Sequence, residues 1–526
     1  VPVRNILFVM ADQLRWDHLS CYGHPHLRTP AIDGLAARGV RFDRAYVQAP
    51  VCGPSRMSFY TGRYLSSHGS TYNNVPLRVG EPTLGDHLRA LGVRTALVGK
   101  THMQADLAGM RRLGVDPASA EGVLASECGF EPFERDDGLW PDQSKPRELA
   151  YNRYLRALGY DVDNPWHEFA NAAEGPDGEI LSGWLMRNAR LPARVREEHS
   201  ETAYMTDRAM EFIDGAGGAP WCLHLSYIKP HWPYIAPAPY HAMYGPEHLL
   251  PANRTEAERR DPHPVHAAFM GHEESREFSR DEVREAVIPA YMGLVRQIDD
   301  HLGRLFRFLE DRGLMETTMI VVASDHGDYL GDHWLGEKEL FHEESVRIPL
   351  VLYDPDPAAD ATRGTADARL VEAIDLAPTF VEAAGGAPPY YVLEGRSLLA
   401  LTRSGAAGAE VPWRDAAVSE CDYAFRGARR TLGLAPDAAR AWMVRDARWK
   451  YVFYEGFRPQ LFDLEADPAE QRDLGADPAF EAERGRLHER LSAWSRSRRM
   501  RTTVSDAQVE ARTDTHKDRG FLFGVW

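Results

Sequence analysis

Residues 281–328 read DEVREAVIPAYMGLVRQIDDHLGRLFRFLEDRGLMETTMIVVASDHGD, and this stretch decides the fold class. From Asp281 to Arg312, the residues Ile288, Tyr291, Val295, Ile298, Leu302, Leu305 and Leu309 recur at steps of three or four. That period lays one apolar stripe along a long helix, facing a sheet. Met319–Ala323 then forms a short, continuous apolar run closed by polar residues, the pattern of a strand buried on both faces. Similar runs stand at Asn5–Met10, Thr95–Val98, Trp221–Tyr227 and Pro349–Tyr353, and a helical pattern covers Thr83–Leu91. Strands alternating with helices predict an α/β fold, a large mixed, mostly parallel sheet sandwiched by helices.

Ligands of such sheets sit beyond the carboxyl ends of the strands. Asp12 follows the first run, Lys100 and His102 the second, His231 the third, and Asp325 and His326 the fourth. Taken singly, each has an ordinary explanation: a strand-end carboxylate is more often a helix cap, and a lone lysine usually lies on the surface. Together they are what one active site would need. Carboxylate oxygens with an imidazole nitrogen suit a divalent cation such as Mn²⁺ or Ca²⁺.

The chain has 526 residues, 44% of them apolar, enough for a large core. The expected division is a catalytic α/β domain over 1–385, a smaller C-terminal α+β domain over 386–500, and a tail over 501–526. A Gly-, Pro- and charge-rich insertion at about 104–200 is read as a cover over the site. In the C-terminal part, Ala373–Ala384 and Asp477–Trp494 look helical and Trp442–Tyr454 alternates like antiparallel strands. The tail carries Phe521, Phe523 and Trp526, which are expected to dock on a neighbouring subunit or on the body, making a homo-oligomer, a dimer or tetramer.

Net charge is −17 with scattered basic residues, which excludes the basic stripe of a nucleic-acid binder. Five widely spaced cysteines show neither a disulfide framework nor a zinc pattern, the usage of a cytoplasmic protein. Ile6–Met10 is too short for a signal-peptide core, and no apolar stretch is long enough to span a membrane. Asn253-Arg254-Thr255 matches a glycosylation sequon, a triplet common by chance. His301 and the histidines between 263 and 272 are read as surface residues.

Cys52-Gly53-Pro54-Ser55-Arg56, followed by Thr61-Gly62-Arg63, resembles the maturation signature of the sulfatases, C-x-P-S-R with T-G-R. Gly99-Lys100-Thr101-His102 resembles their G-K-x-H element, Pro230-His231-Trp232-Pro233 their P-H-x-P element, and Lys338 in Gly336-Glu337-Lys338 a second sulfate-binding lysine. The Asp12-Gln13 and Asp325-His326 pairs depart from the paired aspartates and Asp-Asn of many sulfatases. They are similar to choline sulfatases and phosphonate monoester hydrolases of the alkaline phosphatase superfamily. Asn73, better aligned than Asn74, resembles a substrate-contacting asparagine of the latter, whereas the Lys100–His102 pair leans toward sulfate esters. The resemblance extends from Asn5 to about Leu474; the run Pro459–Leu464 within it is read as structural.

The resemblance implies that Cys52 is oxidised to formylglycine by a formylglycine-generating enzyme and that its hydrate is the nucleophile. It implies one divalent metal held by Asp12, modified Cys52, Asp325 and His326. Arg56 would anchor the hydrate, and Lys100 and Lys338 would bind sulfate. His102 would take the proton that releases the covalent ester, and His231, with Lys338, would serve the leaving group. The substrate would be a small anionic ester, an aryl or small alkyl sulfate, with phosphonate monoesters or phosphodiesters as the alternative.

Overall fold

A computed structural model of the chain describes residues 3–138, 149–405, 410–522, 524 and 526. Its centre is a nine-stranded sheet. In chain order the strands are β1 (Asn5–Asp12), β2 (Val40–Tyr46), β3 (Arg94–Gly99), β4 (Glu131–Arg135), β5 (Trp221–Pro230), β6 (Thr318–Ser324), β7 (Arg347–Tyr353), β8 (Thr365–Asp367) and β9 (Val371–Glu372). They lie in the order β8-β2-β7-β6-β1-β5-β3-β4, with β9 also paired to β2. β7 alone runs antiparallel to its neighbours, so the sheet is mixed but mostly parallel, as the sequence predicts.

β1 is buried along its whole length because it lies mid-sheet with both faces covered. Its alternate side chains feed two cores: Ile6, Phe8 and Met10 enter one, Leu7, Val9 and Ala11 the other. The long helix spans Asp281–Asp311, and all seven residues of its expected stripe are buried against the second core. Tyr291 on this helix donates its hydroxyl to the Gln13 carbonyl at 2.8 Å and accepts from the Arg15 N–H at 2.9 Å. The helix thus braces the loop that leaves β1.

The region from about 104 to 200, expected to cover the site, also builds the sheet. It contributes β4, which pairs with β3 as an edge strand of the main sheet.

Four antiparallel strands, β10 (Ala417–Asp422), β11 (Arg440–Arg445), β12 (Trp449–Tyr454) and β13 (Gln460–Asp463), make the C-terminal sheet. Leu487 and Leu491 of the helix Glu481–Arg496 pack on it. The expected hairpin within Trp442–Tyr454 is β11–β12, and the Pro459–Leu464 run is its next strand. Lys450 ties this domain to the main one, bonding Glu343 at 2.9 Å and Glu470 at 2.7 Å.

Of the two places expected for the tail aromatics, the body is not used: Phe521 and Trp526 are exposed, and Phe523 lies outside the described residues. One expectation fails outright. His263, His266 and His301 are buried, not superficial, because each has an internal partner: the Arg458 carbonyl, the His333 carbonyl and Glu197.

Candidate active site

Parallel pairing of β6, β1, β5 and β3 brings their carboxyl ends to one edge, and with them Asp325, Asp12, His231 and Lys100. The residues after β2 enter the ten-residue helix Cys52–Thr61, whose first residue is Cys52. Each part of the cysteine motif has a local task. Gly53 donates its N–H to Asn73 Oδ1 at 2.8 Å, and a Cβ at this position would lie 2.8 Å from that oxygen. Ser55 donates its hydroxyl to the Asp325 carbonyl at 2.5 Å. Gly62 closes the helix at φ 63°, where a Cβ would also meet Leu393 and Ala377.

Ligand atoms of Asp12, Cys52, Asp325 and His326 lie within 4.8 Å of one another, and all four residues are buried. Cys52 Sγ is 3.0 Å from His326 Nε2 and 3.8 Å from Asp12 Oδ1. His326 Nε2 is 3.7 Å from Oδ1 of both aspartates. The His326 Nδ1 lies 2.8 Å from the Gly327 carbonyl and must donate to it, so the Nε2 lone pair turns inward. Arg56 occupies the outer oxygens. Its Nε donates to Asp325 Oδ2 at 2.7 Å and its second nitrogen to Asp12 Oδ2 at 3.3 Å. Its remaining nitrogen donates to the Lys100 carbonyl and the Ser226 hydroxyl, both at 2.7 Å. Two inward carboxylate oxygens, an oriented imidazole and the atom borne by residue 52 form a donor set that fits a divalent cation.

Electrostatics follow from this crowding. Burial opposes ionisation of Asp12, but Lys100, His231, Arg56 and His326 together hold its pKa well below the ordinary value. Burial, then Asp12, pushes the Cys52 thiol up to about 12. As a thiol it is therefore a poor nucleophile at neutral pH. Lys100 is ion-paired to Asp12. Lys338 donates to Gln13 Oε1 at 2.8 Å and stands 3.4 Å from His231 Nε2. His231 Nδ1, 2.7 Å from the Trp232 carbonyl, donates to it, leaving the Nε2 lone pair toward Lys338. Burial, despite Asp12, keeps His231 well below its ordinary pKa, and burial with Lys100 does the same to His102.

His102 sits at φ 54°, its N–H on Asp137 and its buried Nδ1 without a hydrogen-bond partner among the described residues. Gly99 before it takes φ 107°, and a Cβ there would lie 2.0 Å from the Ser226 carbonyl.

All ten residues singled out from the sequence thus lie about the same strand ends. With Cys52 as a thiol, Arg56 bonds the two carboxylates, the Lys100 carbonyl and Ser226, and Asn73 Oδ1 accepts from the Gly53 N–H of the cysteine helix. Sequence reasoning did not assign Gln13. Its amide accepts from Lys338 and donates to Asp328 at 2.5 Å and to Tyr234 at 3.1 Å, while its N–H donates to Asp325 Oδ1. Its place one residue after Asp12 was the available signal.

An α/β fold whose strand ends gather a buried four-donor nest that fits a divalent cation, with two lysines and two histidines beside it, is suited to hydrolysing anionic esters. Comparison with known proteins makes this specific. The sulfatase family model matches residues 4–387, and that of the N-sulphoglucosamine sulphohydrolase C-terminal region matches 331–497. The chain belongs to the sulfatase family, within the alkaline phosphatase superfamily, and by that membership is a sulfuric ester hydrolase.

Among its relatives, the multifunctional alkaline phosphatase superfamily protein PehA of Trinickia caryophylli is 31% identical, covering 91% of this chain and 92% of that protein. The choline-sulfatase of Rhizobium meliloti is 30% identical over 90% and 83%. The phosphonate monoester hydrolase of Silicibacter pomeroyi superposes with a TM-score of 0.81 at 28% identity, covering 94% and 96%. Divalent metal and formylglycine are typical of the family. No helix among the described residues is long and apolar enough to cross a membrane.

Proposed function

We propose that the chain hydrolyses sulfate monoesters of aryl or small alkyl alcohols through a formylglycine hydrate at residue 52. The observation that carries this reading is Cys52 itself, a buried residue whose Sγ is set 3.0 Å from an oriented imidazole in a four-donor nest. Conversion of its Cβ to an aldehyde by a formylglycine-generating enzyme removes the sulfur and, after hydration, offers two hydroxyls. Asp12, Asp325, His326 and residue 52 would hold one Mn²⁺ or Ca²⁺. Such an ion supplies positive charge that favours the ionised form of a nearby hydroxyl.

Lys100 and Lys338 meet the sulfate oxygens, where fixed cations stabilise developing charge. One hydrate oxygen, its proton passed to solvent, bonds to sulfur in line with the ester oxygen. The S–O bond to the alcohol breaks, and Lys338, backed by the His231 lone pair, protonates the departing oxygen. His102 then takes the second hydroxyl proton, a task suited to a ring nitrogen that has no hydrogen-bond partner among the described residues. The C–O bond to sulfate breaks, sulfate leaves, the aldehyde returns and water rehydrates it.

Cys52→Ser tests this step. Serine has one hydroxyl and cannot expel the sulfate, so turnover should fall at least about 100-fold while a covalent adduct appears in the intact mass. Full steady-state activity in that variant would sink the mechanism.

The second reading, a phosphonate monoester or phosphodiester hydrolase, is favoured by the structural likeness to phosphonate monoester hydrolases. Both substrates are tetrahedral monoanions, so one site could accept both. The proposal includes a homo-oligomer, dimer or tetramer, supported by the exposed Phe521, Leu522 and Trp526. A cytoplasmic setting is supported by the five free cysteines.

A further inference from the structure

Beside the reacting groups lies a cavity of about 230 Å³, bounded by Trp184, Trp232, Pro233, Phe278, Glu274 and Glu337. Neither His231 nor Lys338 lines it, but Trp232 packs on the His231 ring and Glu337 lies 3.4 Å from Lys338, so the cavity stands next to the pair proposed to face the departing oxygen. The His231 ring packs on Trp232 with centroids 4.5 Å apart. Trp184 stands edge-on to Trp232 at 4.7 Å and 67°. It comes from the region that the sequence reads as a cover over the site. Trp184 and Glu274 also line a second cleft of about 810 Å³, whose walls carry Arg187, Arg190 and Arg280 beside Glu273, Glu277 and Glu282.

The walls and the rim differ in chemistry. Two indoles and a phenyl ring offer flat apolar surface, on which an aromatic ring gains both area and oriented contact. Two carboxyl groups stand at the same cavity. Glu274 is ion-paired to Arg426, and Glu337 lies 3.4 Å from Lys338. Of the site's cations, Lys100 is paired to Asp12 in the nest and Lys338 donates to Gln13 beside it, the places proposed above for the ester sulfate. A second negative charge carried on the leaving group would meet Glu337 and Glu274 instead.

We infer that this cavity is the leaving-group subsite and that it selects a flat aryl group bearing no negative charge of its own. The inference rests on the sulfatase reading above. It separates the chain from enzymes that act on polyanionic esters, and it makes Trp184 and Glu337 specificity-determining residues.

The test uses matured, metal-loaded enzyme and three probes: para-nitrophenyl sulfate, methyl sulfate and para-carboxyphenyl sulfate. For Trp184→Ala, the ratio of kcat/KM for para-nitrophenyl sulfate to that for methyl sulfate should fall about tenfold, and Trp184→Phe should restore most of it. For Glu337→Gln, the ratio of para-carboxyphenyl to para-nitrophenyl sulfate should rise several-fold. Ratios do not depend on the folded fraction, so a merely structural role for either residue leaves them unmoved. Unmoved ratios in an active enzyme overturn the subsite inference alone. A matured parent that turns over none of the three overturns the sulfatase reading and the inference with it.

Discussion

Arg56 shows how one side chain organises a site. The resemblance makes it the anchor of the hydrate, and beside the thiol its fork spans both nest carboxylates, the Lys100 carbonyl and Ser226. A lysine would keep the charge and lose the fork. Arg56→Lys should therefore weaken divalent-metal affinity by about 10–100-fold, the range seen when partners behind metal ligands are removed. Metal titration of the folded variant measures this. Unchanged affinity with lost activity would return Arg56 to the role of anchoring the hydrate. Motif residues were legible in the sequence because their spacing is local. What Arg56, Gln13 and Asn73 bond was not, since their partners lie 20 to 325 positions away.

At the scale of elements, apolar runs and the helical stripe were legible because period and burial coincide in β1, β6 and the helix Asp281–Asp311. The strand β4, Glu-Pro-Phe-Glu-Arg, was not, because an edge strand of such composition carries no apolar run. Nor was the segment after β6, where His333 takes φ 51° and stacks on His342 at 3.9 Å. His333 Nδ1 bonds Glu258 at 2.7 Å and its Nε2 faces Glu344 at 3.4 Å. Asn253, the sequon residue, joins the same cluster through Glu344 at 2.8 Å and the Ala469 carbonyl at 3.0 Å.

Burial alone would lower the His333 pKa, but Glu344 and Glu258 raise it to about 10. Burial alone would raise the Glu344 pKa, but His333 and its other partners hold it below its ordinary value. The raised histidine stabilises the fold fully below its unfolded pKa of 6.5 and loses that contribution as pH climbs toward 10. The depressed glutamate contributes above 4.5 and loses its contribution as pH falls. His333→Ala should thus cost roughly 3 kcal/mol near pH 6, with the gap from the parent closing as pH rises. Denaturant unfolding across that range checks it, and a gap independent of pH contradicts the ion-pair account.

Across the whole molecule, the two domains meet around the site. Phe425 of the C-terminal part stacks on Tyr72, the neighbour of Asn73, at 5.0 Å, and Tyr72 donates to Glu339 at 2.7 Å. Lys450 secures Glu343 and Glu470 across the junction. The mixed sheet and the separate antiparallel sheet were legible from run length and alternation. Their mutual placement was not, since contacts such as Glu420 to the Gln48 carbonyl leave no periodic trace. In the function proposed above, this scaffolding presents an oxidised residue 52 to a sulfate ester beside one metal. The mass of the Cys52 peptide, set against arylsulfatase turnover in preparations matured to different extents, tests this most directly. Turnover should rise in proportion to the fraction carrying the aldehyde and vanish where the thiol is intact. Full turnover by enzyme whose Cys52 remains a thiol would contradict the account.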